Sequence, residues 1–327
     1  MIFYETGSHD PYYNLACEEY LLRNSREDIF MLWQNQPVVV IGKNQNMYAE
    51  VNLEYTEPRG ILVARRITGG GAVYHDLGNV NYSFITSREK AAVLDFAYFT
   101  EPVIRALKSM GIEAELSGRN DLLAGGAKFS GNAQYATRER ILHHGTLLFD
   151  SDLQVLSQTL KPDEEKLRSK AIPSVRSRVT NLKPLLASPM ETAEFISRLK
   201  EFVMKTWQAE QRPVDREAVL ASGIYDRNRS EDYICGRKET YAYRIRRRCA
   251  GGIVTLLFDC PEGRLSRVRM EGDYFGQEDV SQAEAALENC PLEREALMTL
   301  LAALPIDRYI SGMTPEELTD MLLEARG

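Results

Sequence analysis

Cysteine is sparse and odd in number: Cys17, Cys235, Cys249, Cys260 and Cys290 fall at irregular spacings with no CxxC pair. That pattern argues against a closed disulfide framework and for reduced thiols. Histidine is scarcer, limited to His9, His75, His143 and His144, and none shows a metal-ligand spacing such as HExxH. A metal site built from dedicated protein ligands is therefore not expected. No uninterrupted apolar run approaches the roughly 20 residues of a membrane span. Residues 1–10 lack both the basic region and the apolar core of a secretion signal. These absences predict a cytoplasmic protein with no membrane partner. Excess positive charge is missing too, since 40 basic against 47 acidic residues give a formal net charge of −7. General attraction to nucleic acid is thereby disfavoured, and any anionic ligand must be held by a local cluster of cations.

What remains is the mix of a globular protein, 44% hydrophobic and 27% charged over 327 residues, long enough for two cores. Asp10 followed by Pro11 reads as an N-cap with a first-turn proline, and Tyr12, Leu15, Ala16 and Tyr20 recur at helical spacing, predicting a helix over 11–24. Short β-rich runs at 29–33 and 38–41 come next, and those at 61–67 and 80–85 flank a glycine-rich stretch. Residues 96–110 read as a helix stopped by Gly111. Strands are expected at 113–116, 121–124, 127–135 and 141–149, with Gly125-Gly126 turning a hairpin. Runs of strands with helices beside them imply an α+β fold.

The polar segment 162–178 reads as an ordered surface loop with some helix, and 191–208 as an amphipathic helix. Residues 223–240 are polar without apolar periodicity and are read as a linker between residues 1–240 and a small domain of residues 241–327. In that small domain strands are expected at 243–248 and 253–259. Helices should start near Ser281 and Thr314, the latter with a Thr-Pro-Glu-Glu capping box.

Three segments carry residue types suited to chemistry. In Arg65-Arg66-Ile67-Thr68-Gly69-Gly70-Gly71-Ala72-Val73-Tyr74-His75-Asp76, two arginines end a strand and three glycines follow. Consecutive glycines turn several N–H groups toward one point, and an arginine adds a planar fork for phosphate or carboxylate. The run matches neither GxxxxGK[ST] nor GxGxxG, so a flexible hairpin with solvated arginines remains open. In Ala127-Lys128-Phe129-Ser130-Gly131-Asn132-Ala133, a lysine among small residues has room for a substrate, and Asp121 can orient it or help hold magnesium; an ordinary surface lysine is the alternative. His143-His144-Gly145-Thr146 enters a strand, where structure is the simpler role. Arg176 and Arg178 offer an anion clamp or ordinary ion pairs. Arg244 to Arg248 reads as a solvated strand face.

Taken together these segments resemble the lipoate–protein ligase A family. The resemblance rests on Tyr13-Asn14-Leu15-Ala16 with Glu18-Glu19, Ile41-Gly42-Lys43-Asn44-Gln45-Asn46, the Arg65 to Asp76 run, Gly118-Arg119-Asn120-Asp121, Lys128-Phe129-Ser130-Gly131, His143-His144-Gly145-Thr146 and Ser174-Val175-Arg176-Ser177-Arg178-Val179-Thr180-Asn181-Leu182. Gly251-Gly252-Ile253 and Gly272-Asp273-Tyr274-Phe275 are similar to that family's C-terminal accessory domain.

The resemblance implies a mixed β-sheet with flanking helices, like biotin ligases and class II aminoacyl-tRNA synthetases, plus a small C-terminal α/β accessory domain. It implies ATP-dependent activation of lipoate, or octanoate, to an acyl-adenylate, with Mg2+ as cofactor, and transfer to a lysine of lipoyl-domain acceptor proteins. By motif, Arg66, Gly71, Ala72, Val73, Tyr74 and Lys128 should contact ATP or the adenylate. Lys128, Gly70 and His75 should contact lipoate, with Asp76 and Asp121 supporting. Tyr20, Leu32, Trp33 and Val39 fit an apolar tunnel and core packing equally well. The rival within this fold is an ATP-independent octanoyl or lipoyl acyltransferase, some of which use a cysteine, and no cysteine lies in the motif-bearing loops. A biotin ligase carries a different arginine-rich pattern. The rival of another class is a non-catalytic lipoyl-domain binder.

Overall fold

A computed structural model describes residues 1–161, 179–236 and 239–326 of the chain. The segment read as a polar loop, with Arg176 and Arg178, lies outside the described residues. The chain divides into two units. The first comprises residues 1–41, 50–66 and 73–234, and the second residues 42–49, 67–72 and 235–327. Among the described residues no helix is long and apolar enough to cross a membrane.

The first unit runs through β1 (Ile2–Glu5), α1 (Pro11–Asn24), β2 (Ile29–Trp33), β3 (Val38–Ile41), β4 (Leu62–Arg65), β5 (Val73–His75) and β6 (Asn79–Ser87). It continues with α2 (Phe96–Ser109), β7 (Ala114–Ser117), β8 (Asp121–Ala124), β9 (Ala127–Ala136), β10 (Arg140–Leu148), α3 (Leu153–Thr159), α4 (Thr192–Trp207) and β11 (Glu210–Pro213). Helices α5 (Arg216–Ala221), α6 (Ile224–Arg229) and α7 (Glu231–Cys235) follow. Among the described residues, eight strands form one mixed sheet in the order β11-β1-β2-β6-β10-β9-β8-β7, and β4-β3-β5 form a smaller one. Parallel pairs join β11, β1 and β2, whereas β6, β10 and β9 are antiparallel to their neighbours. This is the α+β, mixed-sheet arrangement expected.

Local chemistry explains the boundaries. Asp10 accepts from the Tyr12 and Tyr13 N–H groups at 2.9 and 3.4 Å, so α1 starts where the cap was read. Helix α2 ends before Gly111, which adopts φ 85°. Gly125 and Gly126 both have positive φ, 58° and 79°, as a two-residue hairpin turn requires. Apolar residues of α2 and α4 pack on one sheet face with Phe3, Phe30, Tyr82, Phe84 and Phe129 to form the main core.

Several segments differ from the sequence reading, two of them in the first unit's frame. The polar stretch taken as a linker forms α6 and α7, and α6 packs on α1 by polar anchoring: Arg227 pairs with buried Glu19, and buried Asn228 donates to the Tyr12 carbonyl at 3.2 Å. Strand β1 was not foreseen, because four residues beside a chain terminus give too short a pattern.

The turn into β6 is tight. The Gly78 carbonyl accepts from both the Phe149 and Asp150 N–H groups, and a Cβ there would meet the Asp150 carbonyl oxygen at 2.1 Å. Backbone on the far side cannot yield as a side chain would. Gly78→Ala should cost about 1–3 kcal/mol and lower the first unit's melting temperature by roughly 3–10 °C. Scanning calorimetry checks this, and an unchanged transition would contradict the packing described.

The second unit holds β12 (Tyr243–Cys249), β13 (Gly252–Asp259) and β14 (Ser266–Gly272) as an antiparallel meander, followed by α8 (Ser281–Leu287), α9 (Arg294–Ala302) and α10 (Pro315–Leu323). Val254, Leu256 and Phe258 of β13, Val268 and Met270 of β14, and Leu297, Leu301, Leu318 and Leu322 of the helices build its own core. Arg244, Arg246 and Arg248 are exposed on alternate positions of β12. Thr314 and Glu317 form the reciprocal capping box that starts α10.

Candidate active site

Strand β6 alternates Val80, Tyr82 and Phe84 with Asn79, Asn81 and Ser83. Alternate side chains face opposite sides of a sheet, so the apolar set enters the main core and the polar set faces the other way. That polar face is nevertheless buried, and buried polar groups require partners. Trp33 on β2 donates from Nε1 to Ser83 Oγ at 2.9 Å, and the Ser83 hydroxyl donates to the Glu18 carboxyl. His144 on β10 places Nδ1 3.0 Å from the same carboxyl. Glu18 comes from α1, so helix and sheet are joined by a hydrogen-bonded cluster where packing alone would put hydrocarbon. Its neighbour in the strand, His143, points to the core side. It stacks on Phe99 at 4.8 Å and lies within hydrogen-bond distance of Gln134 and Asn132, and burial drives its pKa well below the ordinary value. A neutral, packed His143 is a structural residue.

The pattern candidates Trp33 and Leu32 therefore separate. Trp33 belongs to the polar cluster, whereas Leu32, on the other face of β2, belongs to the core with Phe30.

The two arginines also separate. Arg65 donates to the Tyr233 and Ile234 carbonyls at 2.8 and 2.6 Å, binding α7 to β4. Arg66 is buried and donates to the Val40 carbonyl at 3.1 Å. Burial pushes its pKa down to about 10 while Glu18 opposes the shift, so the guanidinium stays charged at neutral pH. A fixed cation in a dry setting is suited to an anionic ligand.

Within the second unit, the three glycines have three distinct reasons. A Cβ on Gly69 would lie 2.5 Å from the Tyr274 carbonyl oxygen, so close packing forbids it. Gly70 adopts φ 90°, a conformation that suits glycine, and its N–H donates to that same carbonyl at 3.4 Å. Gly71 has open space where a side chain would be. Thr68 O accepts from the Lys43 N–H at 2.8 Å, and Lys43 Nζ pairs with Asp279 at 2.7 Å.

The chain then enters β5 in the first unit, antiparallel to β3, with Tyr74 opposite Val39 and His75 opposite Val38. Tyr74 is buried, which raises its phenol pKa, with Asp76 and Asp152 adding to the effect. His75 is buried, its Nδ1 3.1 Å from Asn35 Nδ2 and its Nε2 without a partner among the described residues. A buried unmet polar atom costs roughly 1–3 kcal/mol, so it calls for a function or a ligand. Burial first, then the charges of Arg66 and His144, push the His75 pKa down to about 3. Asp76 accepts from the Gly78 and Asn79 N–H groups with one oxygen and from Asp152 N–H with the other, bracing the turn and the start of α3.

Lys128 and Asp121 stand on adjacent strands. A register shift between Leu122 and Leu123 sets Leu123 opposite Lys128, so Asp121 lies diagonal to the lysine. Lys128 Nζ sits 2.7 Å from Asp121 Oδ1, both side chains being more than a third exposed. Gly131 keeps space beside the ammonium, since a Cβ there would lie 3.4 Å from Nζ. The arrangement is an oriented, solvent-reachable cation able to meet a phosphoryl or acyl oxygen.

Residues 10–203 match the lipoyl protein ligase A/B catalytic domain, and residues 238–322 match the bacterial lipoate protein ligase C-terminus. The chain belongs to the lipoate–protein ligase family. LplJ, a lipoate-protein ligase of Bacillus subtilis (strain 168), is 38% identical over 98% of this chain and 100% of its own length. A solved lipoate-protein ligase A bound with ATP superposes with a TM-score of 0.61 and 26% identity, covering 72% of this chain and 99% of that one. A bipartite lipoate protein ligase from Thermoplasma acidophilum, solved in a study with its E2 lipoyl domain, gives 0.63 and 29% identity over 73% and 98%. In this ligase, the cluster of Glu18, Ser83, Trp33 and His144 is the part of the candidate site that motif reading did not bring together. The signal for it is the Asn-x-Asn-x-Ser alternation in a strand otherwise built for a core.

Proposed function

We propose that this ligase activates lipoate with ATP to lipoyl-adenylate and transfers the lipoyl group to a lysine of a lipoyl domain, in an acyltransferase subunit of a 2-oxoacid dehydrogenase or in a glycine cleavage H protein. Lys128, held by Asp121, carries the reading, in a chain that matches both ligase domains over nearly its whole length. The lipoate carboxylate attacks the α-phosphate, and pyrophosphate leaves. The acceptor amine then attacks the anhydride carbonyl, forming the amide and releasing AMP. Both steps concentrate negative charge on oxygen, which fixed cations stabilise.

In this account Arg66 and Lys128 face the phosphate and the developing acyl oxygen. The backbone of Gly71, Ala72, Val73 and Tyr74 contacts the nucleotide. Gly70, His75 and Lys128 contact the acyl group, and Asp76 and Asp121 support them. Catalysis is assigned to residues 1–240 and the accessory role to residues 241–327. Magnesium binds through one or two carboxylates together with substrate phosphates. Among the described residues no three acidic, histidine or cysteine side chains converge on one point, and Asp121 is a single carboxylate, a donor set that fits Mg2+ carried in on ATP. A cytoplasmic location suits a reaction that uses ATP and a chain whose cysteines are free.

The ATP-independent acyltransferase alternative with a cysteine nucleophile requires an accessible thiolate. Cys17, the cysteine nearest the motifs in sequence, is buried, and burial pushes its thiol up to about 12. The test incubates the ligase with lipoate, magnesium and a lipoyl domain, with and without ATP, after exposed thiols have been alkylated. The expected result is a lipoyl mass increment on one acceptor lysine, strictly dependent on ATP and unaffected by alkylation. Transfer without ATP, abolished by alkylation, would replace this reading with the acyltransferase.

A further inference from the structure

His75 is joined to the interior through two asparagines whose amide orientations follow from their neighbours. Asn14 on α1 is fully buried, and its Nδ2 lies 3.0 Å from the Ser8 carbonyl oxygen and 2.8 Å from that of Gln34. Two backbone acceptors at one amide atom require that atom to be the NH2. The same nitrogen lies 2.8 Å from the fully buried side chain of Asn35; its two hydrogens are shared among three acceptors, a contact that the Asn35 carbonyl oxygen suits and a second NH2 would not. The remaining Asn35 atom is then an NH2, and it points at His75 Nδ1 from 3.1 Å. An NH2 can only donate, so Nδ1 must present its lone pair, and in the neutral ring the proton sits on Nε2. Nε2 is the buried atom without a partner among the described residues.

We propose that Asn14 and Asn35 are positioning residues that fix the neutral Nε2–H tautomer of His75, so that its ring donates one hydrogen bond to a proton-free oxygen of the bound acyl substrate. The inference deepens the ligase reading above and rests on it. His75 acts as a fixed donor and exchanges no proton during turnover. Arg66 and His144 are the charged and titratable groups that act on it, with Glu18 facing His144 in turn. The cationic neighbour and the burial both keep the ring neutral through the physiological range, and Trp33, edge-on at a 6.1 Å centroid distance, packs beside it. A neutral donor suits this place because it holds an oxygen without adding a second charge beside Arg66.

Asn35→Asp is the diagnostic change, being isosteric and reversing the instruction. A carboxylate can only accept, so it pulls the proton to Nδ1 and leaves Nε2 as a lone pair in the neutral ring. It also favours the imidazolium, in which both nitrogens carry protons. Wild-type kcat/KM for lipoate in ATP–pyrophosphate exchange should show no titration from this histidine. The variant should approach wild type at about pH 6 and fall by roughly tenfold or more relative to it by about pH 9, as the imidazolium is lost. A merely structural role would scale the variant by one factor at every pH, and that outcome overturns the proposal. The 15N shifts of His75 in the wild-type ligase supply a second reading that needs no variant, with Nε2 protonated and Nδ1 bare as the expected result. An active wild type whose His75 is protonated on Nδ1 defeats this inference alone, whereas a wild type with no lipoate-dependent exchange defeats the ligase reading.

Discussion

Lys128→Ala is expected to lower lipoate-dependent adenylate formation by about 10²–10³-fold, equivalent to about 3–4 kcal/mol of transition-state stabilisation. The ammonium is a compact charge held by Asp121 at 2.7 Å, and Gly131 leaves the space in front of it open. Alanine removes that charge without creating a cavity, because the lysine side chain is 38% exposed. The ion pair itself is worth no more than about 1 kcal/mol at such exposure, so the variant should unfold near the wild-type temperature. A large kinetic loss on an intact fold is what separates a substrate-facing lysine from an ordinary surface one. Single-turnover formation of lipoyl-AMP measures it, and a variant within threefold of wild type would remove Lys128 from the chemistry. Asp121→Asn should cost less, since the amide still orients the ammonium but no longer balances its charge.

Glu19→Gln should destabilise the first unit by about 2–4 kcal/mol at neutral pH. The Glu19 carboxylate is nearly inaccessible and takes hydrogen bonds from Arg227, one of them at 3.0 Å, and from Arg23 at 2.9 Å. Removing one partner of a buried pair costs about 3–5 kcal/mol, a figure reduced here because both arginines reach water. Burial by itself would raise the Glu19 pKa, but the two guanidiniums outweigh it and hold the group below its usual value. The sign follows from linkage. A depressed folded-state pKa gives stability that is fully present above the unfolded value, near 4.3, and is lost as pH falls through the folded one. The gap between wild type and Glu19→Gln should therefore be constant from about pH 6 to 8 and close in acid, below about pH 4.3. Urea unfolding across that range measures it. Parallel curves down to about pH 3 would show that the pair does not anchor α6 to α1.

Much of the fold was legible because its signals are local. The cap at Asp10, the stop at Gly111, the Gly125-Gly126 turn and the Thr314 box each act within a few residues, and each falls where it was read. The segment read as a linker does hold the change of unit after Ile234, but its helices were not legible, for a physical reason. Helices α6 and α7 are fastened by Arg227, Asn228 and the Arg65 contacts to their carbonyls, and polar fastening leaves no apolar stripe to detect. Strand β14 was missed although Val268 and Met270 alternate with exposed arginines as a half-buried strand requires, because only two inward apolar residues mark it.

For the candidate site, the motifs named Arg66, His75 and Lys128 but not their settings. Arg65 and Arg66 are both buried, but Arg65 ends β4 and serves α7 while Arg66, just past the strand, turns to the Val40 carbonyl. Gly69 is required by Tyr274, a residue so distant in sequence that no local pattern links the two. The asparagines behind His75 come from α1 and from the turn before β3, and only the fold brings them to it.

ATP–pyrophosphate exchange by the purified ligase with magnesium, with and without lipoate, tests the central claim most directly. Exchange that appears only when lipoate is added is the predicted result, because it requires reversible formation of the acyl-adenylate. Lipoate binding to folded protein without any exchange would contradict the account and leave a carrier-to-carrier acyltransferase or a binding protein in its place.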